Sequence, residues 1–270
     1  MYLPLTRTRI NRGTDAFMAD PVRRCTLPMP DLSIIIPAWN EERELPATLA
    51  QIRAILDEIA VPGPAGPGRT HELIVVDDAS TDGTAEVARA FGARVERVEK
   101  RQIAAVRNAG AAIATGEYLI FIDADTRVPY ATLVAALREL DAGAIGGGAP
   151  VEMEGETPAL LRPYLVAFML VWRLLGHAAG CFVFCRRDAF TAVGGFDERF
   201  FASEEVWLSK ALKARGRFPI VDPPVRSSGR KLRIGSPMSI LLYCAKVLLR
   251  GPKAWQRREG LELWYDGRRE

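Results

Sequence analysis

The stretch Tyr118-Leu119-Ile120-Phe121-Ile122-Asp123-Ala124-Asp125 decides how the rest of the chain is interpreted. Its first part is an unbroken apolar run, which is typical of a short strand buried on both faces of a parallel sheet. Such a strand places Asp123 and Asp125 at its carboxyl end, the edge at which open α/β sheets hold their ligands. Two interpretations are open: oxygen ligands for Mg²⁺ or Mn²⁺ completed by substrate phosphates, or an aspartate pair that caps the next helix.

The chain before this stretch alternates apolar runs with helical patterns. We predict strands at 32–36, 73–76 and 93–98, with Pro37 ending the first, and helices at 42–60, 80–91 and 101–115. This alternation is a βαβ series with helices on both faces of the sheet. The predicted fold class is therefore α/β, with a Rossmann-like sheet whose central strands are mostly parallel.

Three of the predicted strands end in polar clusters, namely Trp39-Asn40-Glu41, Asp77-Asp78 and the Asp123–Asp125 pair. Because the carboxyl ends of parallel strands share one edge, we expect these clusters to lie together. Carboxylates at several tips are hard to explain by solubility alone. Arg107 and Asn108, on the third helix, are expected to tie that helix to the aspartate loop.

The second half of the chain is less regular. We predict helices at 130–140, 160–175 and 204–215, strands at 181–185 and 218–221, a turn at 193–197, and close backbone approach in the glycine-rich run 144–151. The segment 237–249 is apolar with a basic flank. It is interpreted either as a helix lying in a membrane interface beside anionic lipid or as a closing helix packed on the domain.

Composition limits the function classes. Apolar residues make up 49% of the 270 residues, enough for a large core, and the net charge of +3 does not argue for a nucleic-acid partner. The four cysteines (Cys25, Cys181, Cys185 and Cys244) have no CxxC spacing, which favours a reducing, cytoplasmic setting. No secretory signal or apolar run of membrane-spanning length is visible. The inner face of the membrane is the alternative location, should the segment 237–249 bind lipid.

The motifs together resemble family 2 glycosyltransferases of the GT-A fold. They are Ile-Ile-Pro-Ala-Trp-Asn-Glu-Glu at 35–42, Val-Val-Asp-Asp-Ala-Ser-Thr-Asp-Gly-Thr at 75–84, Arg-Asn-Ala-Gly at 107–110, Phe-Ile-Asp-Ala-Asp at 121–125, which is similar to the DXD motif, and Gly-Gly-Phe-Asp-Glu at 194–198 followed by Glu204-Glu205. The resemblance covers about residues 31–221. It implies a catalytic domain at 31–235, with a nucleotide-sugar half at 31–128 and an acceptor half at 129–235. A disordered leader at 1–30 and, at 236–270, a C-terminal amphipathic helix with a basic tail would flank it.

The resemblance also implies a donor, a metal and roles for single residues. It implies a nucleotide-sugar donor, UDP-sugar favoured, bound by Pro37, Ala38, Trp39, Glu41, Asp77, Asp78, Arg101, Asp123 and Ala124. Trp39 matches the aromatic residue that stacks on the base, and Asp125 matches the ligand of Mn²⁺ or Mg²⁺. On the acceptor side it implies Gly195, Glu204 and the base Glu205, where the family usually has Asp. The acceptor would be a hydroxyl of a glycan, a lipid-linked sugar or a small molecule, with inversion at the transferred sugar.

Two other functions stay open. A nucleotidyltransferase would carry a glycine-rich basic loop after the first strand, where this chain has Pro-Ala-Trp-Asn-Glu-Glu. A non-catalytic nucleotide-sugar-binding module of the same fold is disfavoured by the presence of Asp123, Asp125 and Glu205. A Rossmann dehydrogenase is disfavoured because no GxGxxG follows the first strand.

Overall fold

The computed structural model describes residues 30–63, 66–155 and 173–228, together with the single residues 163, 167 and 256. In chain order its helices and strands are β1 (Leu32–Ala38), α1 (Leu45–Ile59), β2 (His71–Asp78), α2 (Thr84–Ala90), β3 (Arg94–Val98), α3 (Ile103–Ile113), β4 (Tyr118–Ile122), β5 (Thr126–Arg127), α4 (Tyr130–Asp141), β6 (Gly146–Gly148), β7 (Val151–Met153), β8 (Phe182–Arg186), α5 (Arg187–Ala192), α6 (Glu204–Lys213) and β9 (Val225–Ser227). Residues 173–175 are also helical.

The main sheet has the strand order β3-β2-β1-β4-β8-β6. The first four of these strands are parallel, while β8 runs antiparallel to both of its neighbours. The predicted α/β class with mostly parallel central strands is therefore confirmed. Because β1, β2 and β4 run in one direction, the polar clusters that follow them lie at one edge, here called the carboxyl edge.

Both faces of this sheet are covered, which explains the unbroken apolar runs. Ile34 and Ile36 of β1 point into the cluster that contains the apolar stripe of α1. Ile35, between them, points into the opposite cluster together with Phe121 of β4 and Val106 of α3. Each central strand therefore needs apolar residues at successive positions rather than at alternate ones.

The glycine-rich run forms β6, where the expected close approach of the backbone is confirmed. A Cβ atom added to Gly147 would lie 2.2 Å from the ring of Phe184 and 2.4 Å from the carbonyl oxygen of Pro219. A side chain at this position would collide with both neighbours. A second, three-stranded sheet, with the order β5-β9-β7, lies beside the carboxyl end of β4 and was not predicted.

Two predicted strand boundaries are wrong. Pro37 does not end the first strand, because β1 continues to Ala38 and pairs with β2 as far as Asp77. The pairing of β1 with β4 stops at Ile35, so this part of β1 has a free edge on one side, where proline is tolerated. The strand predicted at 218–221 is reduced to an isolated bridge between Ile220 and Gly148.

Three predicted segments lie wholly or largely outside the described residues. These are the leader at 1–30, the apolar helix at 160–175 except for its helical last turn, and the segment 237–249. In the part of the chain that the structure describes, no helix combines the length and the hydropathy needed to cross a bilayer.

Candidate active site

The tip of β2 holds two aspartates with different surroundings. Asp77 is fully buried, and its carboxylate accepts hydrogen bonds from the amide of Ser80 at 3.0 Å and from the Arg97 guanidinium at 3.1 Å. Arg97 is its register partner on β3. The Asp77 carboxylate is thus paired within the protein, and its outward partner, Arg97, is an exposed arginine.

Asp78 organises the loop before α3. Its two carboxylate oxygens accept the backbone amides of Lys100 at 2.6 Å and of Arg101 at 2.8 Å. This contact supports Arg101 in a left-handed conformation with φ of 51°. The Arg101 guanidinium lies 4.6 Å from the ring centre of Trp39, so that this cation covers one face of the indole.

The loop after β1 is bonded to the loop after β2. The amide of Asn40 donates to the Ser80 hydroxyl at 2.9 Å, and its side-chain oxygen accepts the amide of Thr81 at 2.8 Å. The amide of the buried Glu41 donates to the Thr84 hydroxyl at 2.8 Å. The residues predicted for the donor therefore lie on two loops that support each other.

The turn after β4 is fixed at each of its three residues. The amide of Asp123 donates to the carbonyl of Cys181 at 3.2 Å, and the carbonyl of Ala124 accepts the Thr48 hydroxyl at 2.7 Å. Asp125 accepts the hydroxyl of Ser228 at 2.9 Å. The alternative that this aspartate pair caps the next helix is wrong, because α4 follows Pro129 without a side-chain cap.

The residues at this turn suit a divalent cation. The side chain of Asp123 is 27% exposed, and Asp125 is also partly exposed. Burial raises the pKa of the Cys181 thiol, and the charges of both aspartates raise it further, so both carboxylates lie close to this thiol. Among the described residues no three His, Cys, Asp or Glu side chains form a metal site by themselves, so further ligands would have to come from elsewhere, such as substrate phosphates.

Arg107 lies at the centre of the site. Its guanidinium, only 2% exposed, donates to Asp123 at 2.7 Å, to the carbonyl of Gly180 at 2.7 Å and to the carboxylate of Glu204. The prediction that α3 is tied to the aspartate loop is confirmed for Arg107 and is wrong for Asn108, whose side chain bonds Phe196 and Glu198 instead. The Arg107 side chain also reaches Glu204 at the start of α6, which was not foreseen.

The two glutamates at the start of α6 have different environments. Glu204 is buried against Arg107, whereas Glu205 is partly exposed. Glu205 packs against Gly180, where an added Cβ atom would lie 3.4 Å from its carboxyl carbon. Burial, followed by the negative charge of Glu204, raises the pKa of Glu205 to about 8, while the charge of Arg107 lowers it.

Asn108 holds the turn that precedes these glutamates. Its side chain accepts the amide of Phe196 and donates to the carbonyl of the same residue, both at 2.9 Å. Gly195 has φ of 74°, and a Cβ atom there would lie 2.8 Å from the Asn108 oxygen. Glycine is therefore required at this position by both conformation and space.

Sequence reasoning missed three residues of this site: Arg97, Gly180 and Ser228. Arg97 could have been found from its position on the strand next to β2. Neither Gly180 nor Ser228 carries a local signal, since Gly180 contacts Arg107 through its backbone carbonyl and the Ser228 hydroxyl comes from a segment distant in the sequence.

Solved structures with the same fold support this description. One is the mannosyltransferase PcManGT from Pyrobaculum calidifontis in complex with GDP-Man and Mn²⁺, with a TM-score of 0.57 and 21% identity over 87% of this chain and 70% of that one. Another is glucosyl-3-phosphoglycerate synthase from Mycobacterium tuberculosis, with a TM-score of 0.55 and 20% identity over 82% of this chain and 76% of that one. The fold is thus the GT-A fold, as the resemblance implied.

Sequence comparison identifies the family. Residues 33–194 match the family model for glycosyl transferase family 2, and the chain belongs to that family. A dolichyl-phosphate beta-glucosyltransferase of Drosophila melanogaster is 34% identical over 165 residues, which are 54% of this chain and 50% of the relative. The succinoglycan biosynthesis protein ExoA of Rhizobium meliloti is 29% identical over 68% of this chain and 58% of its own length. The chain thus spans only about half the length of these curated relatives.

Proposed function

We propose that this protein transfers a sugar from a nucleoside-diphosphate sugar, with UDP-sugars favoured, to a hydroxyl group of an acceptor. The observation that carries the proposal is the buried ion-pair network of Arg107. It joins Asp123 at the tip of β4 to Glu204 on α6. The proposed donor side and acceptor side are therefore parts of one continuous site.

The donor's base is proposed to stack on Trp39, beside the residues at the tips of β1 and β2. Pro37, Ala38 and Glu41 line the first tip, and Asp78 supports the loop that carries Arg101. Arg101 brings a positive charge next to the stacking face. There it would offset the negative charge that builds up as the nucleoside diphosphate leaves.

Asp125 is proposed to bind Mn²⁺ or Mg²⁺ together with the donor's phosphates, and Ala124 and Asp123 to face the ribose or the sugar. The hydroxyl of Ser228 and the guanidinium of Arg107 orient the two carboxylates. When bound, the cation supplies Lewis-acid stabilisation of the diphosphate leaving group. The two solved complexes that contain Mn²⁺ support this choice of ion.

Glu205 is proposed as the base that accepts the proton of the acceptor hydroxyl during an inverting transfer. It lies on α6 against Gly180, with Glu204 and Gly195 as further acceptor-side residues. Its pKa of about 8 is close to a physiological pH, where a general base is most effective.

A hydroxyl of a lipid-linked sugar is favoured as acceptor over one of a free glycan or a small molecule. Two relatives are named for polyprenyl phosphates: the Drosophila melanogaster dolichyl-phosphate glucosyltransferase, and an undecaprenyl-phosphate 4-deoxy-4-formamido-L-arabinose transferase of Aeromonas hydrophila, which is 33% identical over 106 residues. If the acceptor is linked to a lipid, we expect the segment 237–249 to make peripheral contact with the inner face of the membrane.

Donor binding is tested by thermal shift with a panel of UDP- and GDP-sugars in the presence of Mn²⁺. A donor at 100 times its Kd adds about 2.7 kcal/mol to the free energy of unfolding. We expect UDP-sugars to raise the melting temperature of the wild type, and to do so much less with EDTA or in Asp125→Asn. If no nucleotide sugar shifts the melting temperature with Mn²⁺ present, the proposal is wrong.

A further inference from the structure

The buried guanidinium of Arg107 has more partners than are needed to hold α3 against the aspartate loop. It binds Asp123 and the carbonyl of Gly180 through one nitrogen and Glu204 through another, and it lies 5.3 Å from the ring centre of Phe196. Although burial lowers the pKa of Arg107, Asp123 and Glu204 raise it above its ordinary value, so the cation is permanent. A guanidinium can hold these partners together because its five N–H groups lie in one rigid plane.

The two adjacent glutamates meet this cation differently. Consecutive residues of a helix point in different directions, so one guanidinium cannot bind both carboxylates alike. Glu204 is buried in the ion pair, whereas Glu205 lies against the backbone of Gly180 and keeps contact with solvent. The charged groups around Glu205 are Glu204 on its own helix, Arg107 on α3 and Asp123 after β4.

We propose, building on the transfer reaction above, that Arg107 is a positioning residue that assigns different roles to Glu204 and Glu205. It binds Glu204 as a fixed anion and leaves Glu205 as the carboxylate that accepts the acceptor's proton. Through Asp123 it also connects this assignment to the donor side of the site. Glu204 then acts through its charge on Glu205 and through the ion pair, not by contact with the acceptor.

This assignment has a consequence for the pH dependence. Transfer needs ionised Glu205, so kcat/KM falls as the pH drops below the pKa of about 8. The anion of Glu204 raises that pKa and the cation of Arg107 lowers it. Removing the two charges one at a time should therefore move the acid limb of the pH profile in opposite directions.

The test is the pH profile of kcat/KM for release of nucleoside diphosphate, with Mn²⁺ and the donor that gives the largest thermal shift. We expect Glu204→Gln to move the acid limb down by about one pH unit and Arg107→Met to move it up by a similar amount. We also expect Arg107→Met to raise the KM for the donor, because Asp123 loses its partner. Glu204→Gln, which keeps that ion pair, should leave the KM unchanged.

Arg69→Met is the matched control. Arg69 is also a buried arginine paired with an aspartate, Asp141, but it lies at the opposite edge of the sheet. Its loss should lower stability and leave the pH profile unchanged. If Arg107→Met does not fold, the double variant Arg107→Met/Glu204→Gln removes both charges of the ion pair, and its acid limb should lie near that of the wild type.

The failure of this inference differs from the failure of the proposed function. If Glu205→Gln is inactive while Glu204→Gln leaves the acid limb unchanged and the double variant leaves the donor KM unchanged, the role given to Arg107 is wrong and the base stands. If Glu204→Gln is inactive while Glu205→Gln turns over normally, the roles are reversed and the inference is overturned. If both glutamine variants turn over normally, the proposed base itself is wrong.

Discussion

The two edges of the main sheet both carry charged residues, yet they differ in what those residues do. At the amino edge a cavity of about 320 Å³ is lined by Pro30, Asp31, Glu117, Arg186, Arg187 and Asp188. Its ion pairs, such as Arg186 with Glu117 at 3.4 Å, are largely solvated and contribute little to stability. At the carboxyl edge Asp77, Arg107 and Glu204 are buried, and their charges are held by specific partners.

The backbone shows the same difference. The described non-glycine residues with positive φ are Asn40, Ala79, Arg101 and Ser203, and each lies directly beyond β1 or β2 or directly before α3 or α6. Such conformations cost about 1–3 kcal/mol each and persist where the surrounding structure enforces them. The cavity at the amino edge has charge without strained backbone, so buried charge combined with strained backbone, rather than cavity volume, marks the edge at which the site is proposed.

The largest expected effect comes from Asp125. Asp125→Asn should lower turnover roughly a thousandfold, because a bound cation stabilises the transition state by several kcal/mol. Asp188→Asn, the matched change at the amino edge, should leave turnover unchanged. Steady-state kinetics with Mn²⁺ measures both variants, and EDTA should reproduce the effect of Asp125→Asn in the wild type. Full activity in EDTA contradicts the metal requirement.

A loss of kcat of about 10²–10⁴-fold is expected for Glu205→Gln, the usual contribution of a general base. Donor affinity, measured by calorimetry, should stay at the wild-type value because the tips of the strands are unchanged. Glu117→Gln at the amino edge serves as the control and should keep full turnover. A near-normal kcat of the Glu205→Gln variant would show that Glu205 is not the general base.

A smaller effect is expected on the donor's base. Stacking on an aromatic ring contributes roughly 1–3 kcal/mol, so Trp39→Ala should weaken binding of the nucleoside diphosphate about tenfold or more. Trp207→Ala on α6 is the control, since its ring stacks on Phe200 at 4.8 Å rather than at a strand tip. Equal nucleotide affinities of the wild type and Trp39→Ala in calorimetry would show that the base binds elsewhere.

The smallest expected effect is on stability. The folded-state pKa of Glu205, about 8, lies above the ordinary value of 4.5. Its contribution to stability is therefore fully present below pH 4.5 and is lost as the pH rises through 8. The Glu205→Gln variant has no titrating group at this position. Its free energy of unfolding, taken relative to that of the wild type, should therefore be higher at pH 9 than at pH 4 by on the order of 1 kcal/mol. Denaturant unfolding at the two pH values measures this gain, and equal differences at both would contradict the raised pKa.

The sequence was sufficient to predict the central sheet and its functional edge. The unbroken apolar runs of β1 and β4 arise because both of their faces are buried, and this requirement is readable residue by residue. Asp123 and Asp125 follow β4 directly in the sequence. Predicting this strand therefore also predicted that both aspartates lie at its tip. The link from Arg107 to the aspartate loop was also predicted, as a structural contact between α3 and that loop.

The rest of the site depends on distant contacts that leave no local pattern. Ser228 meets Asp125 across 103 residues of sequence, through strands of two and three residues that are too short to show a periodicity. Arg107 meets Glu204 across 97 residues, and either side chain could equally have been a solvated charge. The prediction that Pro37 ends the first strand was wrong because β1 tolerates a proline only where it is not paired with β4. How far that pairing extends is a property of a different strand.

The proposed sugar transfer is tested most directly by measuring the release of nucleoside diphosphate from nucleotide sugars in the presence of Mn²⁺. The proteins compared are the wild type, Asp125→Asn and Glu205→Gln. We expect release by the wild type from at least one UDP- or GDP-sugar in the presence of a lipid-linked or free sugar that carries an acceptor hydroxyl, and loss of that release in both variants. The wild type would contradict the account if it bound a donor without ever releasing the diphosphate, which is the behaviour of a binding module. Release that proceeds equally in all three proteins would contradict it as well.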